Sequence, residues 1–66
     1  MSVLKVIEVM AESDEGWEDA AQKAVKKASK TVKNVRSAYV HEMTTSVKNG
    51  EIDKYRVNVK ITFALD

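Results

Sequence analysis

Lys48-Asn49-Gly50-Glu51, followed by Ile52-Asp53-Lys54-Tyr55-Arg56-Val57-Asn58-Val59-Lys60-Ile61-Thr62-Phe63-Ala64-Leu65, is the stretch on which the fold turns. Asn-Gly suits a two-residue hairpin turn, because both central positions need φ > 0. The residues after it alternate cleanly. Tyr55, Val57, Val59, Ile61 and Phe63 share one face, and Lys54, Arg56, Asn58, Lys60 and Thr62 share the other. A period of two is that of a half-buried strand, predicted over about 52–65. A turn at its start requires a partner strand before it, predicted over about 34–47. There Ala38 and Val40 share one parity, and Ser37, Tyr39, His41 and Met43 share the other. With Ala38 and Val40 facing inward, Tyr39, His41 and Met43 fall on the opposite face. An amphipathic surface of that kind suggests an interface or a ligand site.

Upstream of the hairpin, Val3-Leu4-Lys5-Val6-Ile7-Glu8-Val9-Met10 is β-branched and almost continuously apolar, which predicts another strand. Ala11 to Gly16 reads as a short acidic loop. A helix is predicted from Trp17 to Val32. Trp17, Ala20, Ala21, Ala24, Val25, Ala28 and Val32 recur at three- and four-residue steps and form one apolar stripe. Glu18 and Asp19 complement the positive end of the helix dipole, and Lys26, Lys27 and Lys30 its negative end. Asp19 and Lys23 have the spacing of an i,i+4 ion pair. Gly16 is the expected N-cap. The stripe is mostly alanine, so the helix can lie close to a sheet but buries little area of its own. The order is β-α-β-β: an α+β unit with a three-stranded antiparallel sheet and one helix on one face.

Length and composition add two constraints. A chain of 66 residues makes a single domain, 1–66, with a marginal core. Cys is absent, so neither disulfides nor thiolate metal sites can reinforce it. Partner subunits are the remaining means of support. A formal net charge of +1 gives no basic excess for a nucleic-acid partner. No apolar run approaches a membrane span, and Met1 to Lys5 has no signal-peptide pattern, so a cytoplasmic protein with no membrane partner is expected.

Chemistry-bearing residues are sparse. Glu12, Asp14 and Glu15 read either as an acidic cluster for a hard cation or as part of a solvated turn. The spacing is not that of an EF-hand, and calcium takes about six to eight oxygens, so neighbouring subunits would have to contribute. His41 reads either as a pH-sensitive or ligand group or as an ordinary interface residue. Tyr39 and Met43 line a pocket or pack between subunits. Trp17 continues the helical stripe and reads as structural, and the helix lysines read as a solvated face. One His with scattered carboxylates defines no reaction class, so the chain is not expected to be an enzyme.

Lys5-Val6-Ile7-Glu8-Val9, Ser13, Trp17-Glu18-Asp19-Ala20-Ala21, Ala28-Ser29-Lys30-Thr31, Asn34-Val35-Arg36, Tyr55-Arg56-Val57 and Lys60-Ile61-Thr62-Phe63 together resemble the dodecin family in order and spacing. The resemblance covers nearly the whole chain. It implies a sheet wrapped around the helix and a hollow homododecamer with tetrahedral symmetry. It also implies a small-molecule ligand, with flavin (riboflavin or FMN) stored between subunits rather than turned over. In that family a Trp at the start of the second strand stacks on the flavin, and a Gln just after the Tyr of the third strand bonds the ring edge. Those positions align with Ser37 and Arg56. Ser37 has no π-face, whereas the Arg56 guanidinium can still donate or stack. The alternative implied by the resemblance is a flavin-free shell that binds calcium or another small ion, or acts structurally.

Overall fold

The computed structural model describes residues 2–65. β1 (Leu4–Ser13), α1 (Trp17–Ala28), β2 (Val35–Lys48) and β3 (Glu51–Ala64) follow in that order. The sheet order is β1-β3-β2, and both pairings are antiparallel. The hairpin turn lies where the Asn-Gly pair places it, with Asn49 at φ 54° and Gly50 at φ 77°. β3 is central, so its backbone is paired on both sides and its alternation governs the core. Val57, Val59 and Ile61 have no exposed surface, and they pack against Ala20, Ala24 and Ala28 of α1. Small alanines on the helix let the two layers approach, and the branched β3 side chains supply most of the buried apolar area.

The helix is short for the sheet it covers. Its twelve residues span about 18 Å, whereas each fourteen-residue hairpin strand runs about 46 Å. The molecule is accordingly elongated, 51 × 19 × 13 Å. The hairpin end of the sheet projects past Trp17, and the hydrophobic side chains there have no helix over them.

Three features differ from the sequence reading. α1 ends at Ala28 instead of Val32. The Thr31 hydroxyl donates to the Ala28 carbonyl at 3.0 Å, and Lys30 and Thr31 donate backbone N–H groups three residues back. A β-branched residue that satisfies a terminal carbonyl with its own hydroxyl favours an end over another turn. Asn34, at φ 63°, then redirects the chain into β2. β1 continues to Ser13, so Ala11 and Glu12 are strand residues opposite Val57 and Arg56, not part of a loop.

The third difference alters a candidate site. β2 carries register shifts between Val35 and Ser37, between Val40 and Glu42, and between Ser46 and Val47. An extra residue in one strand reverses the inside–outside alternation beyond it. Ala38 and Val40 lie opposite Ile61 and Val59 on the helix side, as expected. His41 is the extra residue of the middle shift. Beyond it Met43 lies opposite Val57, so it faces the helix side and does not share a face with Tyr39.

Candidate functional site

The face of the sheet turned away from α1 is the candidate site. β1, β3 and β2 set its residues in four rows: Val6, Thr62 and Ser37; Glu8, Lys60 and Tyr39; Met10, Asn58 and Glu42; Glu12, Arg56 and Thr44. The rows follow from antiparallel pairing, which places opposed side chains close enough to interact. In the last row Arg56 donates to one Glu12 oxygen from both Nε, at 2.9 Å, and Nη2, at 2.6 Å. Beyond it, Lys54 Nζ lies 3.1 Å from Asp14 Oδ1, and this contact raises the lysine pKa above its ordinary value. Both pairs are solvent-accessible and add little stability.

At the second row His41 reaches across β3. Its Nε2 is 3.0 Å from Glu8 Oε2, and its ring centroid is 5.7 Å from that of Tyr39. The register shift at position 41 turns this side chain toward β1. Asn58 is a participant the sequence reading missed. Its Nδ2 donates to Glu42 Oε1 at 3.1 Å, and its buried Oδ1 has no partner among the described residues. An Asn within an alternating strand looks like any outward polar residue, so nothing in the sequence marks it.

The expected site residues are only partly brought together. Ser37 and Arg56 share the outer face, but Ser37 is opposite Thr62, six residues along β3 from Arg56. At strand spacing that is about 20 Å, so one subunit does not juxtapose them. Tyr39 stands on the same face as Ser37, one row along, and is largely exposed. Glu12 and Asp14 are each paired with a cation, and the Glu15 backbone N–H donates to Ser13 Oγ at 2.9 Å. No cluster of three His, Cys, Asp or Glu side chains able to hold a metal occurs among the described residues. Trp17 has the structural surroundings expected of it. Its ring meets Tyr55 edge-on at 5.1 Å, and its Nε1 donates to the Thr44 carbonyl at 3.3 Å.

The first turn of α1 is tied to the end of β1. The Ser13 hydroxyl donates to Asp19 Oδ2 at 2.5 Å, and Lys23 Nζ is 3.0 Å from the same oxygen. The hydroxyl, and then the ammonium, hold the Asp19 carboxyl below the usual carboxylate range. Gly16 is the N-cap, as expected, and has no side chain to cap the helix. Asp19 thus supplies negative charge where the dipole favours it.

A family model described as Dodecin matches residues 3–66. The chain belongs to the dodecin family. A curated relative, the calcium dodecin of Mycobacterium tuberculosis, is 35% identical over 65 residues, covering 98% of this chain and 92% of that protein. A crystal structure of that calcium dodecin, described as calcium-chelating and as having a calcium-binding site, superposes with a TM-score of 0.84 at 36% identity, covering 98% and 93% of the two chains. The dodecin from Streptomyces davaonensis superposes with a TM-score of 0.92 at 28% identity, covering 98% and 96%. The β-α-β-β order and antiparallel sheet of this dodecin match those of the family structures. No helix among the described residues is long and apolar enough to cross a membrane.

Proposed function

We propose that this dodecin is the subunit of a homododecameric shell that sequesters calcium, a binding and storage role without turnover. The observation that favours calcium over flavin is the chemistry of the outer face. Ser37 offers no ring to stack on, and two of the Arg56 N–H donors are engaged by Glu12. The same face carries the carboxylates of Glu8 and Glu42 in adjacent rows, and Glu12 in the next row would exchange its Arg56 contact for the ion. One subunit brings too few oxygens together for calcium. Rows repeated around a symmetry axis supply more, with Asp14 and Glu15 at the rim. The relative described as calcium-chelating supports the same reading.

Assembly itself is supported by the apolar side chains that a single copy leaves uncovered, among them Val6, Met10 and Tyr39 on the outer face. A lone chain of this size needs such burial from partners.

Flavin is the second reading, and Tyr39 favours it. This exposed ring one row from Ser37 gives an alternative stacking surface for riboflavin or FMN. The test is a calorimetric calcium titration of chelator-treated oligomer, alongside riboflavin and FMN fluorescence titrations. Saturable calcium binding and a melting temperature that rises with calcium are expected. A ligand at a hundred times its Kd stabilises the folded state by about 2.7 kcal/mol. Strong flavin quenching without a calcium response would reverse the order of the two readings.

A further inference from the structure

Resting on the reading of the outer face as a calcium site, we propose that Asn58 is an ion-responsive amide. Without calcium its N–H donates to Glu42. With calcium it makes a half-turn, and its carbonyl oxygen joins Glu42 on the ion. The pairing across the sheet singles out this row. Glu8 lies opposite Lys60 and bonds His41, and Glu12 lies opposite Arg56 and pairs with it. Glu42 lies opposite the neutral Asn58 and makes no ion pair among the described residues. Of the three glutamates on this face, it is the one whose charge no cation of the subunit meets.

Asn58 itself is half-satisfied. Its Nδ2 donates to Glu42 Oε1 at 3.1 Å, whereas its Oδ1 is buried with no partner among the described residues. A buried carbonyl oxygen without a donor is rare and carries a desolvation penalty. Met10, the third member of the row, brings no N–H or O–H on its side chain. The amide N–H thus stands where a cation would meet Glu42, while the oxygen suited to that cation points elsewhere. The terminal torsion of asparagine is broad and roughly two-fold, so a half-turn exchanges nitrogen and oxygen while the strand stays paired. Calcium accepts neutral carbonyl oxygens beside carboxylates and tolerates irregular geometry. After the half-turn one ion bridges Oδ1 and the Glu42 carboxylate, and the orphaned oxygen gains its partner. Water and a neighbouring copy supply the remaining oxygens. Arg56 and Lys60, which flank Asn58 on this face of β3, are cations and offer no such oxygen.

Two crystal structures of the wild-type oligomer, one grown with calcium chloride and one with chelator, test the half-turn directly. With calcium, Asn58 Oδ1 is expected about 2.4 Å from an ion that Glu42 also holds. With chelator, Nδ2 is expected on Glu42. Calorimetric calcium titrations of two variants give a second readout. Asn58→Leu keeps the volume and removes both donor and acceptor, and its Kd is expected to rise by about fivefold or more, the effect of losing one relieved buried carbonyl. Glu42→Gln keeps a carbonyl acceptor for Asn58, so its melting temperature in chelator is expected to match wild type while calcium no longer raises it. Calcium bound with Asn58 Nδ2 still on Glu42 would overturn the half-turn and leave the calcium reading in place. An Asn58→Leu oligomer of native mass and wild-type Kd would do the same. If Asn58→Leu failed to assemble, the pair of wild-type structures would still decide. A wild-type oligomer that takes up no calcium would overturn both the half-turn and the calcium reading.

Discussion

The two faces of β3 obey the same alternation and are held by different physics. On the helix side, Val57, Val59 and Ile61 are fully buried against alanines, so shape and volume determine what fits. On the outer side, Arg56 and Asn58 bond Glu12 and Glu42 across accessible surface, in rows shared with Lys60 and Thr62, where the energies are small and tolerant. One face specifies the subunit. The other is left for what the subunit binds or joins.

The sharpest way to break this contrast is to truncate adjacent residues of opposite parity. Ile61→Ala is expected to cost about 2–5 kcal/mol, because an alanine-lined helix has no side chain that can collapse into the cavity. Lys60→Ala is expected to change stability by no more than about 0.5 kcal/mol. Urea denaturation at fixed protein concentration measures both. If the two variants were equally destabilised, the outer face would have to be as deeply buried by neighbouring subunits as the core is by the helix.

The same contrast explains what the sequence could reveal. The helical stripe from Trp17, the alternation of β3 and the Asn-Gly turn are local patterns with one structural solution each, and all three lie where expected. The end of α1 was less legible, because Val32 continues the apolar period while Ser29 and Thr31 oppose the helix. The register shifts in β2 leave no mark in a strand of mixed polarity. They move Met43 to the helix side and turn His41 toward Glu8. A strand buried on one face would have exposed such a shift as a break in its apolar alternation, but β2 is too exposed to show one. The candidate site was less legible still. Ser37 and Arg56 share a face but not a locality, and Glu12 and Asp14 are already paired within the chain. Bringing such groups into one site is a property of several copies, which a single chain's periodicity does not encode.

A smaller perturbation tests whether the outer face accepts a stacking ligand. Ser37→Trp adds a ring to the row shared with Val6 and Thr62, next to the row of Tyr39. Aromatic stacking contributes about 1 kcal/mol beyond area burial, or roughly a fivefold lower Kd for riboflavin. Fluorescence quenching of riboflavin by wild type and variant, at matched oligomer concentration, measures the ratio. An unchanged affinity in an intact oligomer would mean that the outer face near Ser37 is closed to flavin in the assembly, and would strengthen the calcium reading.

The smallest expected effect lies at the junction of the two layers, where Asp19 joins the helix to the end of β1. Its pKa is lowered in the folded state by the Ser13 hydroxyl and the Lys23 ammonium. A carboxylate with a depressed folded pKa contributes stability that is present above its unfolded value of about 3.9 and disappears as pH falls through the folded value. Asp19→Asn removes that contribution without removing the side chain's volume. The melting-temperature gap between wild type and Asp19→Asn is therefore expected to stay constant from neutral pH down to about pH 5, then close below about pH 4 as the wild-type carboxyl takes up its proton. A gap that persisted unchanged into strong acid would mean that Ser13 and Asp19 are joined by shape and neutral hydrogen bonding. The Ser13–Asp19 contact would then belong with the packed face of the molecule, not the charged one.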